Sequence, residues 1–215
     1  GFLSTSCCPA FVSYIQNNYP MLKDNISNTV SPMIAIARLI KHIDPKAKVV
    51  FIGPCVAKKN EILLDDLKDD VNFVMTFEEL AAMLDAANID LENCNDGALN
   101  NASYYGRIFA RSGGVTEAVE HVIDIHDIDI DFKPIKCNGI KECDKALKMA
   151  KVNHLGGNFI EGMACVGGCM SGPASLYHGP KNKSEVDKYG KLALEEDVNS
   201  SLRIFEVEDV NLNKK

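Results

Sequence analysis

The chain has 215 residues, 46% of them apolar and 25% charged, with a formal net charge of −7. That length can hold one large domain or two small lobes with real cores, in the composition of an ordinary globular protein. Lys and Arg are dispersed rather than gathered into the positive face that phosphate binding needs, and no apolar run reaches the roughly 18 residues that span a bilayer, so neither nucleic acid nor a membrane is expected as a partner.

Residues 1–12 carry no basic region and only a short apolar stretch, unlike a signal peptide, so a cytoplasmic setting is expected. In a reducing compartment the eight cysteines, at 7, 8, 55, 94, 137, 143, 165 and 169, point to metal binding or redox chemistry rather than to a disulfide scaffold. Cys94, Cys137 and Cys143 lie in no motif and read as packing thiols.

In chain order, Ala10 to Asn18 has apolar residues at helical spacing and stops at Tyr19-Pro20. Ser31-Pro32 opens a second helix to about Ile43, with Ser31 as N-cap and Pro32 in the first turn. Val49 to Ile52 and Val71 to Met75 read as strands, and Thr76 with Glu79 forms a capping box for a helix through about Ala87. Ile108 to Ala110 reads as a strand, followed by Ser112-Gly113-Gly114 and a helix from Val115 to Ile123. Lys133 to Cys137 is extended, Glu142 to Val152 helical and Asn158 to Met163 extended, with a last helix within Lys183 to Arg203. Asp90 to Asn101 and Asp124 to Asp131 read as surface connections. Asp124, His126, Asp127 and Asp129 form a solvated acidic loop in preference to a metal site, and His121 and His126 are five apart, which is not one helical face. Strands alternating with helices imply an α/β fold with a mainly parallel sheet.

Three motifs carry chemistry, each after a short apolar segment, where functional loops of open α/β sheets gather. Thr5-Ser6-Cys7-Cys8-Pro9 places adjacent thiols in a strand-to-helix turn, so one can bind metal while the other faces a pocket; a thiolate there is favoured by the helix N-terminus. In Gly53-Pro54-Cys55-Val56-Ala57-Lys58-Lys59-Asn60-Glu61, Lys58 lies about one turn from Cys55 and offers a positive charge to an anionic ligand. In Glu161-Gly162-Met163-Ala164-Cys165-Val166-Gly167-Gly168-Cys169, two cysteines flank a glycine pair whose backbone can wrap a cluster. Zinc is the rival reading of the four thiolates, though it leaves Cys7, Lys58 and Met163 unexplained.

Together and in this order, the motifs resemble the signature of the iron–iron hydrogenase large-subunit catalytic domain: T-S-C-C-P, P-C-x-x-K-x-x-E and E-x-M-x-C-x-G-G-C-x-x-G. The resemblance implies two small α/β lobes with mainly parallel sheets flanked by helices and a cluster in the cleft between them. It implies that Cys8, Cys55, Cys165 and Cys169 bind a four-iron, four-sulfur cubane and that Cys169 bridges to a two-iron unit bearing carbon monoxide and cyanide, the two together forming the H-cluster. By the same resemblance Cys7 passes protons, Lys58 bonds a cyanide, Met163 packs beside the two-iron unit, and Ser27 and Glu61 match a proton path. The implied partners are a ferredoxin or fused ferredoxin-like domains as electron carrier, and maturation proteins. Gly53, Phe11, Met33 and Gly172-Pro173-Ala174 depart from prototypical members, which have Met, Trp, Gln and a glycine run there. They imply a diverged subgroup, so that a hydrogen-sensing module and a non-catalytic iron–sulfur protein of the cluster-assembly type stand beside the enzyme. The resemblance further implies that residues 1–215 are a fragment of the catalytic domain, lacking its N-terminal part and both iron units.

Overall fold

The computed structural model describes residues 1–95, 97, 102–202 and 207–214. Its elements run β1 (Leu3–Ser4), α1 (Pro9–Asn18), α2 (Pro32–Ile43), β2 (Val50–Gly53), α3 (Ala57–Glu61), β3 (Phe73–Thr76), α4 (Phe77–Ala86), α5 (Tyr104–Ile108), α6 (Gly114–Ile125), β4 (Pro134–Asn138), α7 (Ile140–Lys151), β5 (Phe159–Met163), α8 (Asn182–Lys191) and α9 (Val198–Leu202).

The strands form two parallel sheets, one in the order β1-β5-β4 and the other β2-β3. Parallel neighbours need a crossover, and α7 and α3 supply it between β4 and β5 and between β2 and β3. The central strand β5 is buried at every residue. One core packs Phe11 and Ile15 of α1 against Cys143 and Leu147 of α7 and Ile160 of β5. A second packs Ile34 and Ala37 of α2 with Val49, Leu67 and Val71. This is the expected α/β architecture of short parallel sheets flanked by helices.

Local signals set several boundaries. The capping box of α4 has both bonds, Glu79 N–H to Thr76 Oγ1 at 3.2 Å and Thr76 N–H to Glu79 Oε2 at 2.8 Å. Ser31 occupies the N-cap position of α2, but its side chain makes no cap bond and its buried Oγ has no hydrogen-bond partner among the described residues. Ile108 to Ala110 is not a strand: Ile108 ends α5, and a Cβ at Gly114 would lie 2.0 Å from Ile108 O, so α6 folds back closely on that turn. The region expected to hold one last helix holds two, α8 and α9, and Arg203 lies outside the described residues. Asp124 falls within α6 rather than in a loop. In the segment read as a connection from Asp90, Leu91–Asn93 is an exposed 3-10 turn, while 96 and 98–101 lie outside the described residues.

Candidate metal centre

The cysteines of the three motifs sit just beyond the carboxyl ends of β1, β2 and β5. After β1, Thr5 Oγ1 accepts from Gly162 N–H at 3.1 Å, tying the first motif to the central strand. Cys8 is then the N-cap of α1, with extended backbone (φ −98, ψ 104) and Pro9 following in the first turn. After β2, Pro54 and Cys55 lead into the short helix α3, which carries Lys58 and Glu61. After β5, Gly167 and Gly168 turn with φ of +91 and +95. A Cβ at Gly168 would come 2.6 Å from both Ala110 O and Ser112 N, so only glycine fits this approach. Cys169 follows in a 3-10 turn, and Ala174 N–H donates to Pro54 O at 3.2 Å. The third loop thus leans on the second.

Seven of the nine residues singled out from the sequence line one cavity of about 110 Å3: Cys7, Cys8, Cys55, Lys58, Met163, Cys165 and Cys169. The thiols feel one another. Burial pushes Cys169 up to about 12, and the nearby charges of Cys8, Cys7 and Cys55 add to it against Lys58. Cys165 is raised by burial and then by Cys8 and Cys55. Cys7 is pushed up to about 12 by burial, then by Cys8 and Glu161, while Lys58 and a bond with Thr5 pull the other way. The Lys58 ammonium, in a side chain 9% exposed, lies 2.7 Å from Glu61 Oε2 and donates to Cys7 O at 3.4 Å.

Glu61 is buried too, and lines the groove next to the cavity rather than the cavity itself. Ser27 stands apart from both, its Oγ donating to Thr29 Oγ1 at 3.1 Å. Cys137 and Cys143 are buried, free packing thiols that share a hydrogen bond, and Cys143 donates to Met163 O at 3.7 Å. Cys94, grouped with them from the sequence, is instead exposed. Of the positions that depart from the family pattern, Gly172 and Pro173 line the cavity, whereas Phe11 and Met33 belong to the two cores.

Glu161 opens the third motif, but the sequence assigned it no role. It is 0% exposed and accepts from Gly113 N–H (2.6 Å), Thr116 N–H (2.7 Å) and Thr116 Oγ1 (2.6 Å), so its carboxylate faces the N-terminus of α6. A lone acid in an otherwise apolar strand was the available signal.

The donor set suits an iron–sulfur cluster. Among the described residues no three Cys, His, Asp or Glu side chains meet as one metal ion requires. Zinc would draw four thiolates to about 2.3 Å from a single centre. Here four soft thiols line one cavity, a donor set that would fit a four-cysteine cubane, whose cationic core would offset the charge of four thiolates.

The chain is 31% identical over 225 residues to iron hydrogenase 1 of Clostridium pasteurianum, covering 85% of this chain and 39% of that protein. It is 23% identical over 222 residues to cytosolic iron-sulfur assembly component 3 of Pongo abelii, covering 81% of this chain and 47% of that one. The chain therefore spans less than half the length of these relatives. A solved FeFe-hydrogenase of Chlamydomonas reinhardtii superposes with a TM-score of 0.70 at 17% identity, over 96% of this chain and 70% of that one, a likeness of fold. The family described as iron only hydrogenase large subunit, C-terminal domain, matches residues 1–173, the span that builds both sheets and carries all four cavity thiols proposed as ligands, and the chain belongs to that family.

Proposed function

We propose that in the intact, matured protein this domain holds a four-iron cubane on Cys8, Cys55, Cys165 and Cys169 and catalyses or senses the interconversion of dihydrogen with two protons and two electrons. The observation that carries the reading is the meeting of these four thiols, from three separated loops, at one cavity that Cys7, Lys58 and Met163 also line. When bound, a two-iron unit attached through Cys169 supplies the bond chemistry.

The chain's own residues bind, shield and move protons. Lys58 offers a buried ammonium to an anionic ligand such as cyanide, and Glu61 fixes its position at 2.7 Å. Cys7 lines the cavity and keeps its Sγ proton in the metal-free protein, where burial raises the thiol to about 12; its position, not that raised value, makes it the side chain placed to pass a proton to a bound ligand. Met163, 2% exposed, closes an apolar wall. Ser27 and Ser6 both donate to Thr29, one to its hydroxyl and one to its carbonyl, which sets Ser27 near the first motif as the candidate outer member of a proton path. A ferredoxin-type carrier would supply electrons, and maturation proteins the two-iron unit.

The second reading, a non-catalytic protein of the iron–sulfur assembly type, is favoured by the match to the Pongo abelii protein over most of the chain. Cys7 and Lys58 favour the first, since a plain cubane needs neither. The separating experiment is infrared spectroscopy of the protein co-expressed with maturation proteins. Carbon monoxide and cyanide stretching bands are expected; a four-iron signal without them would select the assembly-type reading.

A further inference from the structure

Beyond residue 173, where the family match ends, the chain returns to the metal centre. Residues 211–214 lie antiparallel against 28–30. Val30 N–H donates to Leu212 O and Lys214 N–H to Asn28 O, each at 2.8 Å, and Thr29 bridges Asn213. Arg38 clamps this strap from α2, its Nη1 donating to Asn211 O at 2.6 Å and Asn213 O at 2.9 Å. Four bonds to main-chain atoms fix a short tail that has no helix or sheet of its own to hold it.

The strap delivers Lys214 into a groove of about 740 Å3 between α1 and α3. Pro9, Ala10 and Ala57 line both this groove and the cluster cavity, so the two share a wall. Glu61 lines the groove beside Lys214. Burial lowers the Lys214 ammonium, Glu61 raises it, Lys58 lowers it and Cys7 raises it, so its charge is felt by all three groups around the cavity wall. Asp65 and Asp66 also line the groove, but both are exposed, Asp65 to 99% of its side chain, where solvent screens them. The Lys58–Glu61 pair alone is neutral. With Lys214 the local set carries one net positive charge beside four thiols.

We propose that Lys214 is a positioning residue of the metal centre: the C-terminal strap carries its ammonium behind the Lys58–Glu61 pair, and that charge favours the reduced, more negative form of the cluster. The inference rests on the reading that the four cysteines hold an iron–sulfur cluster.

The test uses the full chain with a four-iron cluster reconstituted anaerobically from iron and sulfide, compared with Lys214→Gln and Lys214→Arg. Redox titration is followed by the electron paramagnetic resonance of the reduced cluster. At a poise fixed at the wild-type midpoint, Lys214→Gln lowers the reduced-to-oxidised ratio on the order of two- to tenfold, the size of effect that one partly screened unit charge exerts. Lys214→Arg keeps the wild-type ratio. An unchanged ratio in Lys214→Gln overturns the inference, as does an arginine variant that shifts as far as the glutamine one.

A second measurement needs no cluster: acylation of the metal-free chain, read by peptide mass spectrometry. At a pH where both amines are free base, Lys214 reacts more slowly than exposed Lys23 because the groove shields it from the reagent, and equal rates also overturn the inference. Failure of the wild-type chain to hold any cluster brings down the underlying reading instead, while the labelling result still decides where Lys214 sits.

Discussion

Cys7 and Cys8 adjoin in sequence but differ in chemistry. Cys8 begins α1 and packs into the core, while Cys7 turns toward Lys58 and carries a thiol that burial holds neutral. In metal-free protein at pH 8, iodoacetamide should modify exposed Cys94 long before Cys7, whose thiolate becomes abundant only as the pH nears 12. Peptide mass spectrometry reads the order, and prompt labelling of Cys7 would contradict the burial argument. The ligand assignment has its own contrast. Cys55→Ser should reduce the roughly four irons per reconstituted chain that a cubane contains, whereas Cys137→Ser, behind the site in the core, should not. Glu61→Gln should cost about 3–5 kcal/mol in denaturant unfolding, because it leaves the Lys58 ammonium buried without its counter-charge.

Between elements, two carboxylates act as ties. Glu161 joins β5 to the start of α6 with three bonds, and its partner Thr116 lies 45 positions away, so no local pattern announced the contact. Asp144 joins α7 to α1. It accepts from Tyr14 at 2.9 Å and from Tyr19, and pairs with Lys148 at 2.6 Å. Those bonds, from Lys148, then Tyr19, then Tyr14, hold its carboxyl near 2, below the ordinary 3.8. A depressed folded pKa contributes stability that is fully present above about pH 4 and lost as the pH falls toward 2. Asp144→Asn should therefore lower the melting temperature at pH 7 and flatten its decline between about pH 4 and 2; parallel curves for the two proteins would remove Asp144 as the cause. Tyr19 has the opposite window, since burial and then Asp144 push it up to about 12, and its contribution is lost only between about pH 10 and 12. The regular elements were legible because their signals are local. The capping box of α4, the Pro at the start of α2 and the apolar runs of β2 and β5 all stood within a few residues. Ile108 to Ala110 was misread because three apolar residues carry no period, and the close approach of Gly114 that decides their conformation is a packing fact.

For the molecule as a whole, the thiols proposed as ligands were legible as three motifs because side-chain type and glycine placement survive in sequence, and parallel strands bring their carboxyl ends together. The strap at 211–214 was not, because its bonds are made by main-chain atoms that any residue possesses. The same division predicts how folding and metal binding are coupled. The first core is built mainly from side chains of α1, α7 and β5 and the second from α2 with the loop residues Val30, Val49, Leu67 and Val71, and among the four proposed ligands only Cys8 belongs to either of them. Folding therefore need not wait for metal, unlike that of a small zinc finger. The metal-free chain should give a helical far-ultraviolet dichroism spectrum and a cooperative thermal transition. Reconstitution should then raise the midpoint, because the cluster binds the folded form alone and joins loops from both sheets. The comparison is a pair of anaerobic melts, with and without iron and sulfide. A metal-free chain without helical signal would show that the cluster organises the cores, and an unchanged midpoint after iron uptake would place the iron away from the four converging loops.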